Sequence, residues 1–133
     1  MAGEKDLTTL LRGLSPVLHE GQYVFASVSD RSTIDRTLTI GEFREREGTT
    51  VIVERSVADR LGLPYDYVAA WITLEVHSAL AAVGLTAAVA GKLAEHSISC
   101  NVVAGYYHDH IFVNWIDRDS ALRALTNLAR EGI

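Results

Sequence analysis

Two stretches of this chain repeat one pattern: EFREREGTTVIVERSVADRLG at 42–62 and GYYHDHIFVNWIDRDSALRAL at 105–125. In each, two β-type runs flank a turn and a helix follows at once. A hairpin that leads straight into a helix leaves few layouts, because that helix must lie back on the sheet the hairpin belongs to. The repeat therefore points to α+β architecture: antiparallel sheets with helices on one face, built as two βαββαβ-like units in tandem. Neither unit is complete by itself, so chain ends are trimmed or strands are shared. The division falls at 1–65 and 66–133, with the strand at 66–77 lying between the units and serving both.

Local signals fill in the rest. Asp6 caps a first helix carrying Leu7, Leu10, Leu11 and Leu14 at helical spacing, and Ser15-Pro16 stops it. QYVFASVS is a strand and DRSTIDRTL a polar loop. TIGEFRERE and TTVIVE form the first hairpin around Gly48. Ser56 caps a short helix with Val57, Ala58 and Leu61, which Gly62 ends. In YVAAWITLEVH, Ala70, Ile72, Leu74 and Val76 alternate with Trp71, Thr73, Glu75 and His77, the mark of a strand with one face on a core. Leu85, Val89 and Leu93 share one face of a helix that closes near His96. SCNVVAGYY pairs with HIFVNW across a His-Asp turn. Asp117 caps a last helix with Ala121, Leu122, Leu125, Leu128 and Ala129 in one stripe.

Composition removes several function classes. The net charge is −5 and the 12 Lys and Arg residues are scattered, so no basic stripe is present to neutralise nucleic-acid phosphates. Cys100 is the single cysteine, which rules out an intrachain disulfide and a cysteine-based zinc site. The N-terminal MAGEKDLTTLLRG lacks the apolar core of a secretory signal, and the weakly polar run 79–90 is too short to span a bilayer. Membrane association is not expected, and the cytoplasm is the default location.

Two segments carry chemistry. The connection Ser78–Thr86 ends in Gly84-Leu85-Thr86, where a helix start offers unpaired backbone N–H groups and a partial positive charge to a carboxylate. An ordinary helix cap explains the same residues. In the turn, Asp109 is a fixed anion able to accept hydrogen bonds from an ammonium or guanidinium group, or simply an aspartate in a turn. Tyr106 and Tyr107 place ring surface on opposite strand faces, one toward a core and one toward a rim. His108 and His110 project to one side as an H-x-H pair. A metal would need a third ligand, for which Glu75, His77 and His96 are candidates that nothing places nearby. A carboxylate at the helix start and an ammonium at Asp109 together suit an amino acid.

HSALAAVGLTAAVAGKLAEHSISCNVVAGYYHDHIFV resembles the ACT-domain proteins, in particular small bacterial tandem members. The combination VGLTAAVAxxLAE then ISxNVVAGYYHDHIFV is specific; GQYVFASV and EFREREGTTVIVERSVADRLGL extend the resemblance loosely into the first half. The family implies a ferredoxin-like regulatory module that binds amino acids or similar small effectors where modules meet, and a similarity to cytosolic arginine sensors implies an aspartate holding a ligand's cationic end. By position, Gly84, Gly105, Tyr106 and Asp109 become the implied ligand contacts, with Leu85, Thr86 and Val89 lining the same cleft. Three departures stand out: HSALAAVGLT replaces a loop with Asp or Asn before Pro-Gly, Asn114 stands where proline is common, and Ser97 where glycine is usual.

The reading that follows is a regulatory amino-acid-binding protein without catalytic activity or cofactor, a homodimer through sheet edges, acting on a separate protein. The alternative is a structural adaptor acting through oligomerisation, with a vestigial cleft. No activated nucleophile, nucleotide loop or full metal set marks an enzyme.

Overall fold

Asp6 opens the first helix as the sequence indicates, its carboxylate accepting from the Thr9 backbone N–H at 3.1 Å. The computed structural model describes residues 6–76 and 83–132. Its elements are α1 (Leu7–Arg12), β1 (Ser15–Leu18), β2 (Tyr23–Val28), β3 (Thr39–Arg44), β4 (Thr49–Glu54), α2 (Arg55–Leu61), β5 (Val68–Glu75), α3 (Leu85–Glu95), β6 (Asn101–Ala104), β7 (Asp109–Asn114) and α4 (Arg118–Glu131). They form two compact units, Glu20–Ala70 and a second made of Met1–His19 with Trp71–Ile133. The segment through His19 thus packs with the C-terminal half, whereas the sequence division at 65/66 leaves it with the N-terminal one.

In the unit Glu20–Ala70 the strands run β3-β4-β2-β5. β2 and β4 pair antiparallel from Tyr23↔Glu54 to Val28↔Thr49. Alternation sends Val24, Ala26, Val28, Val51 and Val53 to one face, where Val57 and Ala58 of α2 cover them. Between β2 and β3 the chain makes two 3-10 turns, Arg31–Thr33 and Arg36–Leu38, capped by Asp30 and Asp35. Ser56 does not cap α2. β4 runs directly into the helix, the N-cap position is Glu54 without a side-chain bond, and the Arg55 N–H donates to the Gln22 carbonyl at 2.9 Å. The residue before β2 therefore supplies the acceptor for the helix's first N–H.

In the second unit, β6 pairs with β7, β7 lies beside β5, and β5 pairs with β1. The order β5-α3-β6-β7-α4, with β1 as fourth strand, matches the ferredoxin-like plan, and the first unit follows it as β2, β3, β4 and β5 with α2. β5 thus serves both units: Val68 and Ala69 pair with β2, Ile72 to Glu75 with β1. β1 is absent from the sequence reading, because Ser15-Pro16 looks like a helix stop. Proline tolerates an edge strand, where its missing N–H costs no ladder bond. Ile72, Leu74, Ile111 and Val113 meet Leu85, Val89, Leu93, Leu125 and Leu128 in the core of this unit.

α3 closes on His96, after which Ser97 takes φ +58°. Ile98 then donates to the Leu93 carbonyl at 3.0 Å, and both side chains are buried. An L-residue in the left-handed region costs about 1–2 kcal/mol. Ser97→Gly should accordingly raise unfolding stability by about 1 kcal/mol in chemical denaturation; a loss of stability would contradict the left-handed backbone at 97.

Candidate functional site

All the site residues singled out above lie in the second unit. The hairpin turn is Gly105–His108, closed by the Gly105 N–H on the His108 carbonyl at 2.9 Å, with Ala104↔Asp109 as the last strand pair. The turn therefore ends at His108, and Asp109 already belongs to β7. Glycine sets that register: a Cβ at 105 would lie 2.8 Å from the His108 carbonyl oxygen. Tyr106 and Tyr107, expected on opposite strand faces, instead occupy the turn's tip. They are 79% and 72% exposed, and their rings meet edge to face at 5.0 Å.

Asp109 opens β7 on the same strand face as the fully buried Ile111 and Val113, so its side chain lies on the helix-bearing side. The residue is half-buried, and burial pushes its carboxyl above the usual range, with His110 and His108 partly opposing. Among the described residues no hydrogen bond or ion pair reaches that carboxylate.

The turn and the start of α3 are connected through α1. His108 Nδ1 approaches the Val76 carbonyl at 3.4 Å, which ties the turn to the end of β5. α1 spans from that point to the helix start: a Cβ added at Gly13 would touch Val76 at 4.0 Å, and one at Gly84 would meet Leu7 at 3.2 Å. Gly84 has φ +102° and makes no side-chain cap. It is glycine because its backbone is left-handed and Leu7 packs against it. Thr86 is exposed, whereas Leu85 and Val89 are buried in the core beneath α3. These two form a floor rather than an accessible wall. His77 and residues 78–82 of the connection lie outside the described residues.

The opposite sheet face holds a cluster that the sequence reading missed. The His19 ring stacks on Trp71 at 3.5 Å between centroids and 8° between planes. Thr73, only 4% exposed, bridges two imidazoles, with His19 Nε2 at 2.6 Å and His110 Nδ1 at 3.0 Å from its hydroxyl. Trp71 Nε1 donates to His110 Nδ1 at 3.1 Å. Alternation in β5 assigns Trp71 and Thr73 to a solvent face; their burial comes from partners distant in sequence. Burial holds His19 and His110 below the ordinary imidazole value, aided at His110 by the nearby His108 and His19 and opposed by Asp109, while Glu75 opposes the shift at His19.

Other groups are bound up in structure. Among the described residues, no three of His, Cys, Asp and Glu come together as a metal site. Burial pushes the Cys100 thiol up to about 11, away from nucleophilic use at neutral pH. A hollow of about 350 Å³ in the second unit is lined by Leu7, Leu11, Arg12, Arg130 and Glu131, with none of the seven singled-out residues. In the other unit Glu42 takes Arg31 at 2.9 Å and Arg36 at 3.9 Å, bracing the 3-10 turns against β3 beside a groove of about 470 Å³.

Comparison with known proteins places this arrangement. Models of the ACT domain match residues 2–70 and 67–127. The chain therefore belongs to the ACT domain family and carries two such domains in tandem. A Vibrio cholerae protein of unknown function, for which transport has been suggested, is 49% identical, with TM-score 0.84 over 94% of this chain and 97% of that one. An Agrobacterium tumefaciens protein is 21% identical, with TM-score 0.61 over 87% and 89% of the two chains. The regulatory subunit of aspartate kinase from Thermus thermophilus shares the fold at 9% identity, with TM-score 0.60 over 86% of this chain and 97% of that one. No curated protein matches. Domains of this family carry ligand-binding, regulatory roles, and among the described residues no helix is long and apolar enough to cross a membrane.

The shifts fix two pH effects. His19 and His110 titrate below 6.5 in the folded chain, so the unfolded chain binds more protons in that window. Their contribution is complete above 6.5 and is lost as pH falls through the depressed values. Asp109 works oppositely: its folded value lies above 3.8, so its contribution is present below 3.8 and lost as pH rises through the folded value. Asp109→Asn should therefore raise the melting temperature of the unliganded protein at about pH 7; a lower melting temperature would show that the carboxylate has a stabilising partner.

Proposed function

We propose that this chain is a stand-alone regulatory module that binds a small zwitterion, an amino acid or close analogue, at the sheet end formed by the α3 start and the Gly105–His108 turn. The observation that carries the reading is Asp109. A half-buried carboxylate with a raised pKa and no described hydrogen-bonding partner costs folding energy, and a ligand's ammonium would recover it. The backbone of Gly84, Leu85 and Thr86 at the start of α3 complements the ligand's carboxylate. Gly105 keeps the turn tight, its Cβ side being taken by the His108 carbonyl and the His110 ring, Tyr106 covers the ligand from the tip of the turn, and Leu85 and Val89 support the floor.

The module has no catalytic function in this reading. It transmits occupancy to a separate protein, a role of the kind carried by the regulatory subunit of aspartate kinase that shares its fold. β3 and β6 end their respective strand runs, and Phe43 and Val103 on them are exposed, which suits homodimerisation by edge pairing. The cytoplasm, where free amino acids are plentiful and a lone thiol stays reduced, is the compartment that fits.

A thermal-shift screen across the amino acids tests this. Ligand at a hundredfold excess over Kd should add about 2.7 kcal/mol to apparent stability. Asp109→Ala should abolish the shift while leaving a cooperative melt. A flat response to every amino acid at about pH 7 would reject the ligand assignment and leave the adaptor role, in which the module acts only through assembly.

A further inference from the structure

His110 sits between the turn and the sheet. On one side its Nδ1 faces Trp71 Nε1 at 3.1 Å and the Thr73 hydroxyl at 3.0 Å. On the other, the turn backbone rests on the ring edge: a Cβ on Gly105 would lie 3.2 Å from Nε2 and 3.3 Å from Cδ2. An indole N–H only donates, so Nδ1 is the bare, accepting nitrogen, and the imidazole is neutral with its proton on Nε2. A second proton would have to enter at Nδ1, directly against the indole N–H. The neutral ring fits this slot and the cation does not.

Among the described residues, the charged and titratable groups around it come from the ends of β1 and β5 and from its own strand. His19 follows β1, Glu75 ends β5 on the same strand face, and His108 and Asp109 precede His110 in the chain. α3 and α4 cover the other face of the sheet. Burial, His108 and His19 disfavour the imidazolium, and Asp109 favours it.

We propose that His110 is a proton-responsive positioning residue for the hairpin. As neutral imidazole it holds the Gly105–His108 turn on Trp71 and Thr73. On protonation it leaves that slot, and the turn bearing Tyr106 and leading into Asp109 shifts with it. Effector affinity then falls as pH drops through the His110 titration. The consequence for affinity rests on the amino-acid reading above; the coupling between ring and turn does not.

The test follows the full chain by NMR from about pH 8 to about pH 5, with no ligand present. The amide signals of Gly105 to Asp109 should shift with the midpoint of the His110 ring carbons, below 6.5. His110→Asn places a non-titrating acceptor where Nδ1 lay and should remove the transition while leaving the turn docked. His108→Gln should retain the transition, which excludes the neighbouring ring as its source. Thr73→Val should move the midpoint up toward 6.5 by removing a donor to the neutral form. A transition that survives in His110→Asn, or amides that stay fixed while His110 titrates, overturns the proposal. If the turn follows His110 and no amino acid binds, the coupling stands and the effector assignment falls. If an amino acid binds with affinity constant through the transition, the control of affinity falls.

Discussion

Strand β5 is the constraint on which the rest of the second unit hangs. Ala70, Ile72 and Leu74 point toward the helices and are buried, which fixes register because a slip of one residue would turn the set to the other face. Its last residues pair with β1, and the Val76 carbonyl beyond them receives His108. The position of the hairpin turn is thereby tied to the same strand that leads toward α3. The proposed site depends on β5 ending there, because that is where the turn is anchored.

That dependence also explains which parts of the molecule are legible in sequence. The period of two in VAAWITLE and the Leu85, Val89, Leu93 spacing are local signals, and both elements stand where those signals put them. The hairpin-then-helix repeat likewise appears as β3-β4-α2 and β6-β7-α4. β1 was hidden because a proline after serine reads as punctuation, and only its partner β5 makes SPVL a strand. Ser56 was a plausible cap with no knowledge that the Gln22 carbonyl already serves that helix start.

The site was legible as a set of residues, less so as geometry. Asp109 was chosen for its charge in a turn, yet its character comes from opening β7 on the buried side of the strand. Gly84 was chosen for an open backbone, yet Leu7 fills that space, a contact between residues 77 apart in number that no local pattern announces. The grouping of Trp71, Thr73, His19 and His110 is not legible in sequence, since Trp71 and Thr73 alternate onto a solvent face, His110 reads as part of an H-x-H pair, and His19 follows a strand that only β5 reveals. Together they bury a threonine hydroxyl with its hydrogen bonds satisfied, which is how a polar group is tolerated inside.

The central claim is that the Asp109 carboxylate, half-buried and without a hydrogen-bonding partner among the described residues, is held for the ammonium of a small effector. Its carboxyl carbon, followed by NMR through an acid titration with and without the amino acid that stabilises the protein most, reports this directly. The account predicts a value above 3.8 in the free protein that drops when the ligand is bound. A carboxyl that titrates at its ordinary value and ignores the ligand would contradict it.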